Sequence, residues 1–355
     1  MLRVKALAPV AAGVLSFCCL TSGAQADQPS SQSQAESNNG NANGHQTHIA
    51  LIGDVPYRDG DIPKLDEVLR EINRARVDFT LHNGDIKSGS STCADDLLQQ
   101  RFTQLAQLER PLVYTPGDNE WTDCHRPAAG GFDPLGRLAK VRSLFFQNPG
   151  KTLGKQPRPV RTQSSDPNYA EFVENVSFFQ DGVMYGTVHV VGSNNGLALW
   201  SGIGETASAP RPERAAEVQR RIAAVLAWID AVFDEAQQRG ADGVLIAMQA
   251  NPAFEAAVGN ATRAGFEEII AKLSARTIAF ARPVLIAHGD SHYQRFDKPL
   301  LGPTLSDGPQ RLEDFWRVEN YGDLDVHWVE LVVDTHTAEV FHVIPHIVES
   351  NRFAR

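Results

Sequence analysis

The sequence predicts an α/β fold in which strands and helices first alternate and hairpins then follow. Three observations predict it: short apolar runs ending in Gly-Asp, amphipathic segments between them, and closely spaced pairs of strand-like runs further on. Gly-Asp occurs six times, where 28 Gly and 24 Asp in 355 residues would give roughly two by chance. Four of the six close strand-like runs, which start at His48, Phe79, Leu112 and Val284 and end at Asp54, Asp85, Asp118 and Asp290.

Each element follows from its pattern. After the first run, Leu65, Val68, Leu69 and Ile72 fall on one helical face; after the second, Leu97, Leu98, Phe102, Leu105 and Leu108 do the same. Asp54, Asp85 and Asp118 are spaced by 31 and 33 residues, each about one β-α-β unit. Right-handed crossovers make such strands parallel, so their C-terminal ends share one edge, where open α/β sheets bind ligands. Residues 175–191 read as two strands around the Asp181-Gly182 turn. Residues 212–238 form a long amphipathic helix with Ile222, Val225, Ile229 and Phe233 inward, 244–249 a strand, and 266–273 a helix. The runs 327–333 and 340–345 read as a closing pair of strands.

The N-terminus has a different composition. Arg3 and Lys5 precede an apolar stretch from Ala6 to Leu20, and Ala24-Gln25-Ala26 follows. This is the layout of a secretory signal over 1–26. The competing reading is an uncleaved anchor helix; a lipoprotein is disfavoured because bulky Phe17 precedes Cys18 and Cys19. Residues 27–46 are Gln, Ser, Asn and Gly with almost nothing to bury, so a disordered linker is expected there. One folded domain is expected over 47–349. The expected location is outside the cytoplasm, periplasmic or secreted, with no stable membrane anchor once the signal is removed.

Hydrophobic residues make up 42% of the chain, ample for a large core. The formal charge of −10 argues against nucleic acid as a partner, because a phosphate backbone demands a basic surface. Loss of the signal leaves two cysteines, Cys93 and Cys124. An even pair in an exported chain suggests one disulfide, against the alternative of two free buried thiols.

Four carboxylates on one sheet edge converge, and unpaired they would repel. Either each caps a helix N-terminus or the set holds a cation. From here the chain resembles the calcineurin-like metallophosphoesterases, whose blocks run D-x-H, G-D-x-x-D (or Y), G-N-H-E, a lone His after a strand, and G-H-x-H. In the same order this chain has Asp54-Val-Pro56, Gly84-Asp85-Ile-Lys-Ser88, Gly117-Asp118-Asn119-Glu120, Gln249-Ala-Asn-Pro252 and Gly289-Asp290-Ser-His292. Only Asp54, Asp85 and His292 keep the family's ligand types. Pro56, Asp118, Asn119, Gln249 and Asp290 stand where the family has other residues, as in a divergent branch.

The resemblance implies a four-layer sandwich of two mixed β-sheets flanked by helices. It also implies two divalent metal ions, one held by Asp54, Asp85 and His292, the other by Asp85, Asp118, Gln249 and Asp290. The oxygen-rich set favours manganese, magnesium or calcium over zinc or iron. It implies hydrolysis of small-molecule phosphate esters by a metal-activated water; the alternative is a metal- or ligand-binding protein on the same scaffold. Asn119 replaces the family's catalytic His and can only donate a hydrogen bond. His125 and Arg126 are the candidates for proton donor and phosphate clamp, in a loop that a Cys93–Cys124 bond would pin beside the metals. Glu120 is expected to orient its neighbours, and Tyr57 to approach the first metal or the substrate.

Overall fold

A computed structural model describes residues 46–302 and 310–352. The expected signal and linker lie outside the described residues. Strands β1 (Thr47–Ile52), β2 (Phe79–His82) and β3 (Leu112–Tyr114) are parallel and joined through α1 (Ile62–Ala75) and α2 (Asp95–Leu105). The chain then runs through α3 (Pro134–Phe145) into a second sheet. That sheet contains β4 (Arg161–Thr162), β5 (Val176–Gln180), β6 (Val183–Thr187), β7 (Gly243–Ala247), β8 (Val284–His288), β9 (Arg295–Asp297) and β10 (Phe315–Glu319). Helices α4 (Pro212–Arg239) and α5 (Glu267–Phe280) serve the crossovers between β6, β7 and β8. Finally β11 (Trp328–Val333) and β12 (Phe341–His346) return to the first sheet, whose order is β12-β11-β1-β2-β3. The second runs β4-β5-β6-β7-β8-β10-β9.

The period-two alternation of β1 shows how the layers assemble. Ile49 and Leu51 enter the core shared by the two sheets, with Phe79, Leu81 and Val113 beside them and Val183, Tyr185, Leu245, Leu285 and Val318 opposite. Ala50 and Ile52 point the other way, against Leu65, Val68, Leu69 and Ile72 of α1. On the far side, α4 and α5 bury Val225, Ile229, Phe233, Ile269 and Leu273 against the second sheet. The expected four-layer sandwich is the fold observed.

Some boundaries differ from expectation. The strand expected to reach Val191 stops at Thr187, where side chains replace the ladder: Thr187 Oγ1 accepts Val176 N–H from the neighbouring strand and Asn175 Oδ1 accepts His189 N–H. The helix expected over 266–273 continues to Phe280, its left-handed end at Ala281 closing it without a glycine. The strand Phe315–Glu319 and helix Pro134–Phe145 were not legible from the apolar pattern. In the strand, Arg317 and Glu319 are buried as ion pairs with Asp297 and Arg295, which breaks the apolar run.

Candidate functional site

The four Gly-Asp turns meet, but not on one sheet edge as expected: β1, β2 and β3 bring Asp54, Asp85 and Asp118 from the first sheet, and β8 brings Asp290 from the second. Asp54, Asp85, Asp290 and His292 adopt left-handed backbone, with φ of 58, 57, 78 and 58°. Each such non-glycine residue costs about 1 kcal/mol, the kind of strain that collects at functional sites. Gly84, at φ +80°, packs so closely on the next turn that a Cβ would lie 2.3 Å from Gly117 N. Glu120, buried completely, ties the two turns: its Oε1 accepts from Gly117 N–H at 2.7 Å, Asp85 N–H at 3.1 Å and the Tyr114 hydroxyl at 2.6 Å. It orients its neighbours as expected.

Asp54 accepts the Asn320 amide at 2.8 Å and the Asp290 N–H at 3.1 Å, with His292 Nε2 at 3.6 Å. Asp85 accepts from Asn119 N–H at 3.1 Å, from the Asn119 amide at 2.6 Å and from the Tyr57 hydroxyl at 2.8 Å. Asp290 accepts Asn251 N–H at 3.1 Å. Gln249 turns its oxygen to Gly192 N–H at 2.6 Å. Its Nε2 faces Asp290 and favours that carboxylate's charged form, though it falls short of full hydrogen-bond geometry. Gln249 therefore presents a donor toward the site.

Among the described residues, neither Asp85, Asp118 nor Asp290 is paired with an arginine or lysine. The neighbouring cations are engaged elsewhere. Lys87 is buried and donates to the Asn119 and Ser88 carbonyls at 2.6 and 2.8 Å; burial pushes it down to about 8. Arg126 pairs with Asp123 and Arg295 with Glu319. Burial, then Asp118, Glu120, Asp54 and Asp290 in turn, push Asp85 well above the usual carboxylate range. Burial and then Asp290 act the same way on Asp54, against the Asn320 hydrogen bond. Burial and Asp118 push Asp290 up to about 7 and Asp123 up to about 8. The arrangement is a concentration of acidic groups whose charged forms are disfavoured by burial and by one another.

Among the described residues, no three His, Cys, Asp or Glu side chains stand close enough to hold a cation as they lie. The donor chemistry nevertheless suits one hard cation on the Asp118–Asp290 side, where the carboxylates repel and, among the described residues, neither forms an ion pair with an arginine or lysine. There the backbone of Gly192 closes over Asp118, leaving its carboxylate 2.7 Å from where a Cβ would sit. The Asp54–His292 side is filled differently. The Tyr57 hydroxyl, besides donating to Asp85, receives the Asn119 amide at 2.9 Å and faces His292 Nε2 at 3.2 Å.

The loop expected to carry catalytic residues is pinned by a Cys93–Cys124 disulfide. Arg126 lies at the mouth, its side chain 44% exposed, with Asp123 at 2.5 Å and Ser193 Oγ at 3.4 Å. Arg126 and Asn119 meet across Gly89, where a Cβ would be 2.4 Å from Arg126 Nη1 and 2.7 Å from Asn119 Oδ1. Both amide hydrogens of Asn119 are engaged, by Asp85 and Tyr57. His125 is buried, and its Nδ1 accepts Gly202 N–H at 3.1 Å. Burial and then Arg126 hold it below its ordinary value, with Glu205 acting in the opposite sense; no hydrogen bond joins it to the four carboxylates. His82 and His288 are core histidines, each at about 3 through burial, with Nδ1 bonded to backbone.

One feature, Asn320, escaped the sequence, whereas Ser193-Asn194-Asn195 reads in it as a turn or a substrate contact. Asn320 follows β10, a strand hidden by its paired charges, although the sixth Gly-Asp pair, Gly322-Asp323, marked its end. Residues Ser193, Asn194, Asn195 and Gly196 form a left-handed turn, with φ of 51, 55, 53 and 74°. Ser193 Oγ donates to Asp123 at 2.7 Å, while Asn194 and Asn195 bond the backbone of Gly265. Trp121 is fully buried against His189 and lines no opening.

No curated protein matches the sequence. Solved structures similar to this chain include a dimetal phosphatase from Danio rerio, 15% identical at a TM-score of 0.48, covering 84% of this chain and 99% of that one. Another is TT1561 of Thermus thermophilus, 12% identical at 0.44, covering 86% and 100%. A third is GAP50, the anchor in the inner membrane complex of Plasmodium, 11% identical at 0.44, covering 86% and 89%. The family model for calcineurin-like phosphoesterases matches residues 47–294, which contain all five blocks, and the chain belongs to that family.

Proposed function

We propose that this chain is an exported, cation-dependent phosphoesterase acting on small phosphate esters. The observation that carries the reading is the cluster of Asp54, Asp85, Asp118 and Asp290: three buried carboxylates and one half-buried at strand ends, of which Asp85, Asp118 and Asp290 form no ion pair with an arginine or lysine among the described residues. A protein gains nothing in stability from such a cluster, so its retention points to a ligand that supplies positive charge. When bound by Asp118, Asp290 and Asp85, a divalent cation, with manganese, magnesium or calcium preferred, supplies charge to polarise a phosphate ester. The chain's own residues do the rest. Arg126 offers unshared guanidinium hydrogens to phosphate oxygens at the mouth. Lys87 lends positive potential from beneath, and Glu120 holds the two turns that aim Asp85 and Asp118.

The test is hydrolysis of a panel of phosphate monoesters and diesters by metal-stripped protein, with Mn²⁺, Mg²⁺, Ca²⁺ or Zn²⁺ then restored. Turnover only with a restored cation is expected. Cation binding without turnover on any ester supports the second reading, a binding protein on this scaffold, which the engaged hydrogens of Asn119 favour. Export rests on the signal layout of 1–26, the polar stretch 27–46 and the disulfide. N-terminal sequencing of the secreted or periplasmic product is expected to read from Asp27; an intact Met1 in that fraction argues against cleavage.

A further inference from the structure

The family's first block brings a histidine next to its aspartate; here Pro56 stands at that position and Tyr57 follows it. A cation shared by a carboxylate and an imidazole sits about 2.0–2.2 Å from each donor atom, in the space between them. Between Asp85 Oδ2 and His292 Nε2 that space contains the Tyr57 hydroxyl, 2.8 Å from one and 3.2 Å from the other. A tyrosine hydroxyl has one hydrogen to donate and two lone pairs to offer. Here all three are used: it donates to Asp85 and accepts from the Asn119 amide and from His292. The network is saturated and neutral at its centre.

The surrounding packing fixes this arrangement. The Tyr57 ring meets the His292 ring edge-on, with centroids 5.1 Å apart. Gly322 closes the far wall, where a Cβ would lie 2.8 Å from His292 Cδ2 and 2.9 Å from Asp54 Cβ. The Asp54 carboxylate is already held by the Asn320 amide and the Asp290 N–H. Loss of a ligand at 56 and gain of a filling hydroxyl at 57 therefore act on the same position.

We infer that the Tyr57 hydroxyl replaces the first of the two cations of this fold, so that the chain holds a single divalent cation, on the Asp118–Asp290 side. The inference rests on the cation-dependent reading above, and its test counts ions rather than turnover.

Full-length mature protein is dialysed against Mn²⁺, bound manganese is counted by mass spectrometry, and the electron paramagnetic resonance spectrum is recorded. One ion per chain with an isolated-ion spectrum is expected. Tyr57→Ala vacates the position between Asp54, Asp85 and His292, and is expected to bind two ions and show a magnetically coupled pair. Tyr57→Ser is scored instead should the alanine variant not fold, as judged by circular dichroism. Two ions on the wild-type chain overturn the inference, as does a folded Tyr57 variant that gains none. No ion on the wild type overturns the single-cation inference and the cation-dependent function together, whereas two ions overturn the inference alone.

Discussion

Two buried acidic centres in this molecule are built in opposite ways. Behind the left-handed turn, Glu174 is fully buried and paired, with Arg142 Nη2 at 2.6 Å and His189 Nδ1 at 2.7 Å. Burial alone would push Glu174 up, but Arg142 and His189 together outweigh it and hold the carboxyl at about 2. At the strand ends of the site, Asp85 is nearly as deeply buried and Asp290 half-buried; among the described residues neither is paired with an arginine or lysine, and both are pushed up. The same residue chemistry is thus a structural tie in one place and a standing cost in the other. Burial alone does not identify a functional carboxylate; burial without a counter-charge does.

The sharpest way to break this contrast is Asp85→Asn. If the sheet-edge cluster carries the reaction, kcat/KM should fall ~1,000-fold, about 4 kcal/mol of transition-state stabilisation, while the melting temperature holds or rises. An active variant would remove the cluster from the chemistry. Arg142→Met should do the reverse, leaving Glu174 charged and underpaired. About 3–4 kcal/mol of stability should be lost in urea unfolding, with kcat/KM of the folded fraction unchanged.

Replacing Cys93 and Cys124 by Ala opens a link between residues 31 apart in sequence and should cost about 3 kcal/mol. That loss should come with weaker substrate binding, since the bond holds the loop bearing Asn119 and Arg126. A stability loss with unchanged KM would separate the disulfide from the site.

The smallest effect is in pH. Asp290, raised from 3.8 to about 7, stabilises most below its unfolded value; that contribution is lost as pH rises through 7. Glu174, lowered from 4.5 to about 2, stabilises fully above its unfolded value and loses this as pH falls toward 2. Cation-stripped protein should therefore melt a few degrees lower at pH 8 than at pH 5, and restored Mn²⁺ should cancel that fall. A flat profile between those pH values would mean the sheet-edge carboxylates are not raised.

The fold was largely legible because its signals are local. The β-Gly-Asp repeats, the one-sided helices at 62–75 and 95–105, and the hairpin at Asp181-Gly182 each declare themselves within a few residues. The convergence of Asp54, Asp85 and Asp118 followed from topology alone, whereas that of Asp290, at the end of a strand in the second sheet, depends on how the two sheets pack. What escaped depends on contacts distant in sequence. Asn320 reaches Asp54 across 266 residues; the Gly322-Asp323 pair marks the strand end but not that contact. The orientation of Gln249 depends on Gly192, and the site filled by the Tyr57 hydroxyl depends on Asn119 and His292 together. The strand before Asn320 was hidden because Arg317 and Glu319, which interrupt its apolar run, are buried and paired.

The left-handed turn at residues 193–196 narrows what can be written in that stretch. Four successive residues of reversed handedness exclude β-branched and bulky side chains, and Ser193 must keep a hydroxyl for Asp123. In a saturation library the loops around it would tolerate wide variation, while these four positions would accept little beyond glycine, asparagine, aspartate and the native serine. The turn is a short, nearly fixed word in the sequence, legible in a mutational scan even though it carries none of the site's charge.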